Sequence, residues 1–295
     1  MTTPHDHASQ RSSHEGELED HDLGLSHDLP RIVERNRLGR RGMLGIFGGL
    51  GVAALAGCAT GDDTATSGTS ATSSAPSGPG PGVDVAAGEI PEETAGPYPA
   101  DGSNGVNVLT ESGVVRRDIT SSFGSASAVA EGVPATIRMK LYDLTGEDAT
   151  VLAGAAVYVW HCDRDGEYSM YSDSVGDENY LRGVQEADED GVVEFTSIFP
   201  GCYAGRWPHI HFEVYKSLAE ATSAGSKLRT SQIAIPQDVC EEVYGGAEGY
   251  EQSVPNLAHL SLDTDMVFAD GYSLQLGKVT GSLDDGYTIA LNVPV

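Results

Sequence analysis

Between Phe199 and Tyr215 the sequence reads FPGCYAGRWPHIHFEVY, which gathers Tyr203, Arg206, His209 and His211 into nine residues. The two histidines stand two apart in an apolar, aromatic segment. On a strand such residues leave from the same face, so both imidazoles project together while Ile210 points the other way into packing. Neutral imidazole suits Zn, Cu, Fe and Ni, although a stacked or capped pair would satisfy the same pattern. Tyr203 narrows the chemistry. A phenol has a pKa near 10 and ligates well only when a strongly Lewis-acidic cation displaces its proton, as Fe(III) does and Zn or Mg does poorly. Upstream, WHCDRDGEYSMYSD leaves a strand through Asp163–Gly166 and presents Tyr168 just beyond the turn. Two phenolates neutralise two of the three charges of Fe(III), and a hydroxide would take the last. Tyr168, Tyr203, His209 and His211 are thus the candidate ligands.

These side chains need a scaffold, and its signals are mostly β. Ala135–Leu144, Ala155–Asp163, Gly191–Phe199 and His209–Tyr215 alternate or run apolar with β-branched and aromatic residues, and Thr230–Pro236 and Tyr287–Val293 add two more strands. Gly, Asp and Pro clusters separate them. Two short helices are expected, at SLAEATSAG and PQDVCEEVYGG. Many short strands with long insertions predict an all-β fold, a β-sandwich with long functional loops, rather than alternating βαβ units. Asp188, Glu189 and Asp190 read as a solvated hairpin turn before Gly191. His161 reads as a structural histidine facing away from Trp160, and His259 as a surface or satisfied group. Trp160, Tyr158 and Tyr171 read as core or pocket wall. Tyr98 divides evenly between pocket lining and packing.

The chain has 295 residues, not all of them core. Gly39 to Cys58, GRRGMLGIFGGLGVAALAGC, runs from paired arginines through an uncharged stretch to a cysteine, the order of an export signal. Arg40-Arg41 resembles a twin-arginine signal, and LAGC resembles a lipobox whose cysteine is lipidated after cleavage. Three regions follow: an export signal over 1–57, a Ser/Thr/Gly/Pro-rich tether over 58–88, and a folded domain over 89–295. The expected location is extracytoplasmic, with the membrane touched only through a lipid anchor at Cys58. The formal charge of −27 argues against nucleic acid as a partner, since phosphates call for Lys and Arg. Outside the cytoplasm a disulfide is permitted. Of Cys162, Cys202 and Cys240, the favoured pair is Cys202–Cys240, because Cys162 reads as the inward member of a strand.

Taken together, AGPYPADG (Ala95–Gly102), VWHCDRDGEYSMYS, NYLRGVQEADEDGVVEFTSIFPGCY and GRWPHIHF resemble the intradiol ring-cleavage dioxygenases, the family of the catechol 1,2- and protocatechuate 3,4-dioxygenases. The resemblance covers most of 89–295. It implies a non-haem Fe(III) held by Tyr168, Tyr203, His209 and His211, and a catechol opened by O2 between its two hydroxyls to a muconate-type diacid. It further implies that Tyr203 takes a substrate proton, that Arg206 stabilises developing negative charge, and that Gln232 of TSQIAIP is an active-site glutamine. Arg206 could instead do no more than pair with one of the many carboxylates. Only five residues separate Tyr203 from His209, a shorter loop than in well-known aromatic-degrading members, and one that resembles an exported subgroup. Two other readings stay open: a copper or zinc protein built on the histidine pair, and a non-catalytic phenol- or metal-binding extracellular lipoprotein on the same fold.

Overall fold

The computed structural model describes residues 88–295 apart from Glu147 and Ala224. The expected export signal over 1–57 and the expected tether, apart from residue 88, lie outside the described residues. Among the described residues nine strands form two sheets. β1 (Pro134–Asp143), β2 (Thr150–Val151), β5 (Val192–Ile198), β8 (Lys278–Ser282) and β9 (Gly286–Pro294) make the first, in which β1 pairs with β2 and β5 on one side and runs parallel to β9 on the other. The second has the order β4 (Arg182–Glu186), β3 (Ala156–Trp160), β6 (His209–Tyr215), β7 (Lys227–Ala234), all antiparallel. The helices are short: α1 (Leu218–Ala221), α2 (Gln237–Gly246) and α3 (Ser253–Leu257). The expected all-β sandwich is what the chain forms. Among the described residues no helix is long and apolar enough to cross a membrane.

The main core lies between the sheets. Ile137, Met139, Phe195 and Ile289 of the first meet Val157, Val159, Ile210, Phe212, Val214 and Ile233 of the second. Burying each such side chain stabilises the fold by about 1.5–3 kcal/mol. Alternation along β6 then sends His209, His211, Glu213 and Tyr215 to the opposite face of the second sheet. That face is not left to solvent. A second apolar cluster built on Tyr158, Trp160, Val184 and Tyr215 receives Ala100, Val108, Leu109 and Val114 from the N-terminal loops and Tyr168 from the segment after β3. Every residue of β6 is consequently buried.

The six expected strands are present with ends shifted by a few residues, and β6 falls on the expected bounds. β3 ends at Trp160 rather than Asp163. Three strands were not expected: β2 is two residues long, while β4 (RGVQE) and β8 (KVTGS) carry too much polarity and glycine to show a period. Both expected helices occur, and α3 is added. The 188–191 turn is tight and exposed, with Asp188 accepting the N–H groups of Asp190 and Val192, but it closes no hairpin, because it carries the chain from β4 in one sheet to β5 in the other. One expectation is corrected. Cys202 and Cys240 are not joined: Cys162, Cys202 and Cys240 are all free and buried. The sulfur of Cys162 faces the Gly201 carbonyl at 3.5 Å, and that of Cys202 faces the carbonyls of Tyr203 and Arg206 at 3.9 Å each.

Candidate functional site

Register across the second sheet places Arg182, Trp160, His211 and Gln232 side by side in one row. His209 stands one step along β6 on the same face. The Nε2 atoms of the two histidines are 3.0 Å apart. Tyr168 Oη lies 3.5 Å and Tyr203 Oη 3.4 Å from His209 Nε2. All four candidate ligands therefore converge, although three separate segments bring them. Tyr168, His209 and His211 are buried, and Tyr203 is half-buried at the rim.

Each side chain has a local reason for its place. His209 Nδ1–H donates to the Trp207 carbonyl, which leaves Nε2 as the unprotonated atom facing the cluster. His211 Nδ1 has no hydrogen-bond partner among the described residues, and the ring is held by stacking on Trp160. Tyr203 is brought up by two turns that touch. Gly166 adopts φ +87°, and a Cβ there would stand 3.0 Å from the Tyr203 Cβ. Tyr168 follows that same turn and packs against Tyr98, with ring centroids 4.9 Å apart. Arg182, missed by the sequence reading, fastens the surrounding loops. It donates to Tyr98 O, to Tyr158 Oη and to both oxygens of Ser169.

Arg206 is buried and does pair with a carboxylate. Its Nε and Nη2 donate to Asp265 at 3.0 and 3.3 Å, and Nη2 also donates to Gln232 Oε1 at 2.7 Å. The Gln232 amide nitrogen is spent on Thr94 O. Asp265 gave no sequence signal: it is one of many acidic residues in a loop, 59 positions from Arg206. His161, as expected, is structural. Its Nδ1–H donates to Cys162 O and its Nε2 accepts from Ser197 Oγ.

Electrostatics follow from the burial. Desolvation, then Arg206, holds His209 neutral with its pKa lowered to about 3; burial and the neighbouring His209 depress His211 well below the usual histidine range. Burial raises both phenols, but the two are not equivalent: Arg206 and the Tyr168 hydroxyl favour ionisation of Tyr203, whereas the Tyr203 phenol disfavours that of Tyr168. Two neutral imidazole nitrogens and two phenols that cannot readily ionise unaided form a donor set that fits a trivalent cation, whose charge would offset the cost of ionising them. Among the described residues no group of three or more His, Cys, Asp or Glu is placed to hold a metal ion. A concave surface of about 600 Å³, lined by Arg138, Lys140, Lys278 and Leu274 among others, contains none of these residues.

Parts of the chain are similar to known proteins. Residues 125–220 match the family model described as Dioxygenase, a span that includes Tyr168, Tyr203, Arg206, His209 and His211 but neither Gln232 nor Asp265. A chlorocatechol 1,2-dioxygenase of Rhodococcus opacus is 35% identical over 91 residues, which cover 28% of this chain and 35% of that protein; the match thus spans about a third of the relative's length. The intradiol ring-cleavage dioxygenase of Tetranychus urticae shares the fold, with a TM-score of 0.54 and 23% identity over 70% of this chain and 94% of that one. A second dioxygenase structure gives a TM-score of 0.52 at 22% identity, covering 70% and 93%. Residues 125–220 are thus similar to the Dioxygenase family, and the fold is the one seen in an intradiol ring-cleavage dioxygenase.

Proposed function

We propose that residues 89–295 form a non-haem Fe(III) dioxygenase that uses O2 to open the ring of a catechol between its two hydroxyls, giving a muconate-type diacid. The observation that carries this reading is the convergence of two phenol oxygens and His211 Nε2 on His209 Nε2, each within 3.5 Å of it. Tyr168, Tyr203, His209 and His211 would hold the iron. Bound Fe(III) would supply the Lewis acidity that ionises the catechol and the redox partner that makes its ring reactive toward O2.

The chain's own residues do the rest. Binding a catechol as a dianion requires two proton acceptors, of which this chain would supply one and a hydroxide from solvent the other. Tyr203 is the better placed of the two phenols, because its residue is the less buried of the two and Arg206 favours its ionised form, so its phenolate can take one proton. Tyr168 and the histidines, buried and pinned, keep their places. Arg206 carries a charge fixed before the reaction begins and can stabilise negative charge that develops on the substrate. The aromatic wall of Tyr98 and Tyr168 offers faces against which a flat ring can lie.

We further propose that the domain works outside the cytoplasm, tethered through lipidated Cys58. The support is the sequence of Gly39–Cys58 alone, and membrane fractionation of Cys58→Ala checks it, since retention of the variant in the membrane would refute the anchor. The activity is tested by metal analysis and visible spectroscopy of the purified protein, together with oxygen uptake on a panel of catechols. Iron at one per chain, a phenolate charge-transfer band and uptake on at least one catechol are expected. A colourless zinc protein silent across the panel would overturn the reading.

A further inference from the structure

Asp265 belongs to no strand and lies outside the region that matches the family model. It is nevertheless buried, and its two oxygens accept from five donors. Oδ2 takes Arg206 Nε at 3.0 Å and the Trp207 N–H at 2.8 Å. Oδ1 takes Arg206 Nη2 at 3.3 Å and the N–H groups of Val267 and Phe268 at 2.9 and 3.3 Å. Burial alone would raise this carboxyl, but Arg206 and the backbone donors outweigh it and hold the group ionised.

The two partners from the 206–207 segment lead to different parts of the site. Arg206 is oriented by the fork of Asp265 on one side and by Gln232 Oε1 on the other, which fixes the position of a charge that favours ionisation of Tyr203. Trp207 is fixed by its N–H, and its carbonyl in turn receives His209 Nδ1–H. One carboxylate thus clamps Arg206 and the N–H of Trp207, the residue whose carbonyl, in the next peptide unit, sets the imidazole's tautomer.

We propose that Asp265 is a positioning residue that holds both the Arg206 charge and the His209 ring in register, so that the turn after α3 completes the site begun on β6. The proposal rests on the dioxygenase reading for its kinetic consequence but not for its structural one. A displaced Arg206 would still lie near the pocket and would bind substrate much as before, while losing the alignment on which rate depends; a misplacement of about 1 Å can cost ~10²-fold. Substrate affinity and turnover should therefore separate.

The test compares the parent with Asp265→Asn, Arg206→Gln and the double variant, using two readouts. Oxygen uptake on a catechol should show Asp265→Asn lowering kcat by about 10²-fold with KM within threefold, and the loss in the double variant should fall short of the product of the two single losses, because part of the Asp265 effect runs through Arg206. In the metal-free protein, the nitrogen-attached ring proton of His209 should shift or exchange faster in nuclear magnetic resonance spectra of Asp265→Asn. If Asp265→Asn does not fold, Asp265→Glu keeps the charge but moves the fork by one methylene, and the same two changes are expected. A folded variant with parental kcat, or factors that multiply in the double variant, would overturn the proposal. So would an unmoved His209 ring proton. That last measurement decides the matter even if the parent shows no uptake on any catechol, an outcome that would sink the dioxygenase reading separately.

Discussion

Trp160 lies flat on His211, with ring centroids 4.8 Å apart and planes 5° from parallel. The contact is fixed by register, because the two residues are direct partners across β3 and β6. Behind the indole, Tyr158 stacks at 5.0 Å, and the whole row is sealed from solvent. Trp160→Ala should destabilise the domain by about 3–5 kcal/mol, the range for deleting a buried indole, as measured by urea unfolding. Trp160→Phe keeps a flat face and should recover most of the loss. Equal stability of the two variants would show that stacking on His211 adds nothing beyond volume.

The two phenols should be separable. Tyr203→Phe removes the rim acceptor and should lower kcat by ~10²-fold or more, the usual worth of a general base. Tyr168→Phe should instead cost iron affinity, since that phenol sits inside the cluster and makes no rim contact. Metal content and the visible band, measured on both variants, distinguish a proton acceptor from an anchoring ligand.

Gly166 stands where a side chain is doubly disfavoured. Its φ of +87° lies in the left-handed region, and a Cβ would press on Tyr203 at 3.0 Å. Gly166→Ala should cost about 1–2 kcal/mol of stability from backbone strain alone, and it should shift the visible band by moving Tyr203. A band identical to the parent's would show that the turn does not set the phenol's position.

Acid should weaken the fold through His161. Burial lowers its pKa from 6.5 to about 4, so between those values the unfolded chain binds a proton that the folded one refuses. Stability is fully present above pH 6.5 and falls as pH drops toward 4, by about 3 kcal/mol in all. Glu213 runs the other way. Burial raises it from 4.5 to about 7 despite Lys227, so its contribution is present below pH 4.5 and is lost as pH rises through 7. The difference between the parent and His161→Asn, measured across pH 4–7, isolates the histidine term; parallel curves would contradict the assignment.

The thiols should be silent until the fold opens. Burial raises the pKa of Cys202 to about 12 and those of Cys162 and Cys240 well above the usual thiol range, and the thiolate is the reactive form. A disulfide reagent should therefore find all three only after denaturation, and reductant should leave Tm unchanged. A drop in Tm on reduction would restore the Cys202–Cys240 bridge expected from the sequence.

The amino-acid sequence by itself determined the local periods. The two-residue spacing of His209 and His211 put both rings on one face wherever that strand might lie, and the apolar alternation of β1, β3, β5 and β6 specified a sandwich, because a strand's pleat admits only two faces. The turn residues around Gly166 and Gly201 showed where Tyr168 and Tyr203 leave the scaffold. Tertiary structure decided everything that depends on which strand neighbours which. The row Arg182–Trp160–His211–Gln232 exists only through register between strands far apart in sequence, and β4 was too polar and short to read at all. Asp265 was one acidic residue among 44 Asp and Glu until folding buried it against Arg206. A charge acquires its partner from three-dimensional proximity in a medium of low dielectric, and no periodicity along the chain encodes that proximity.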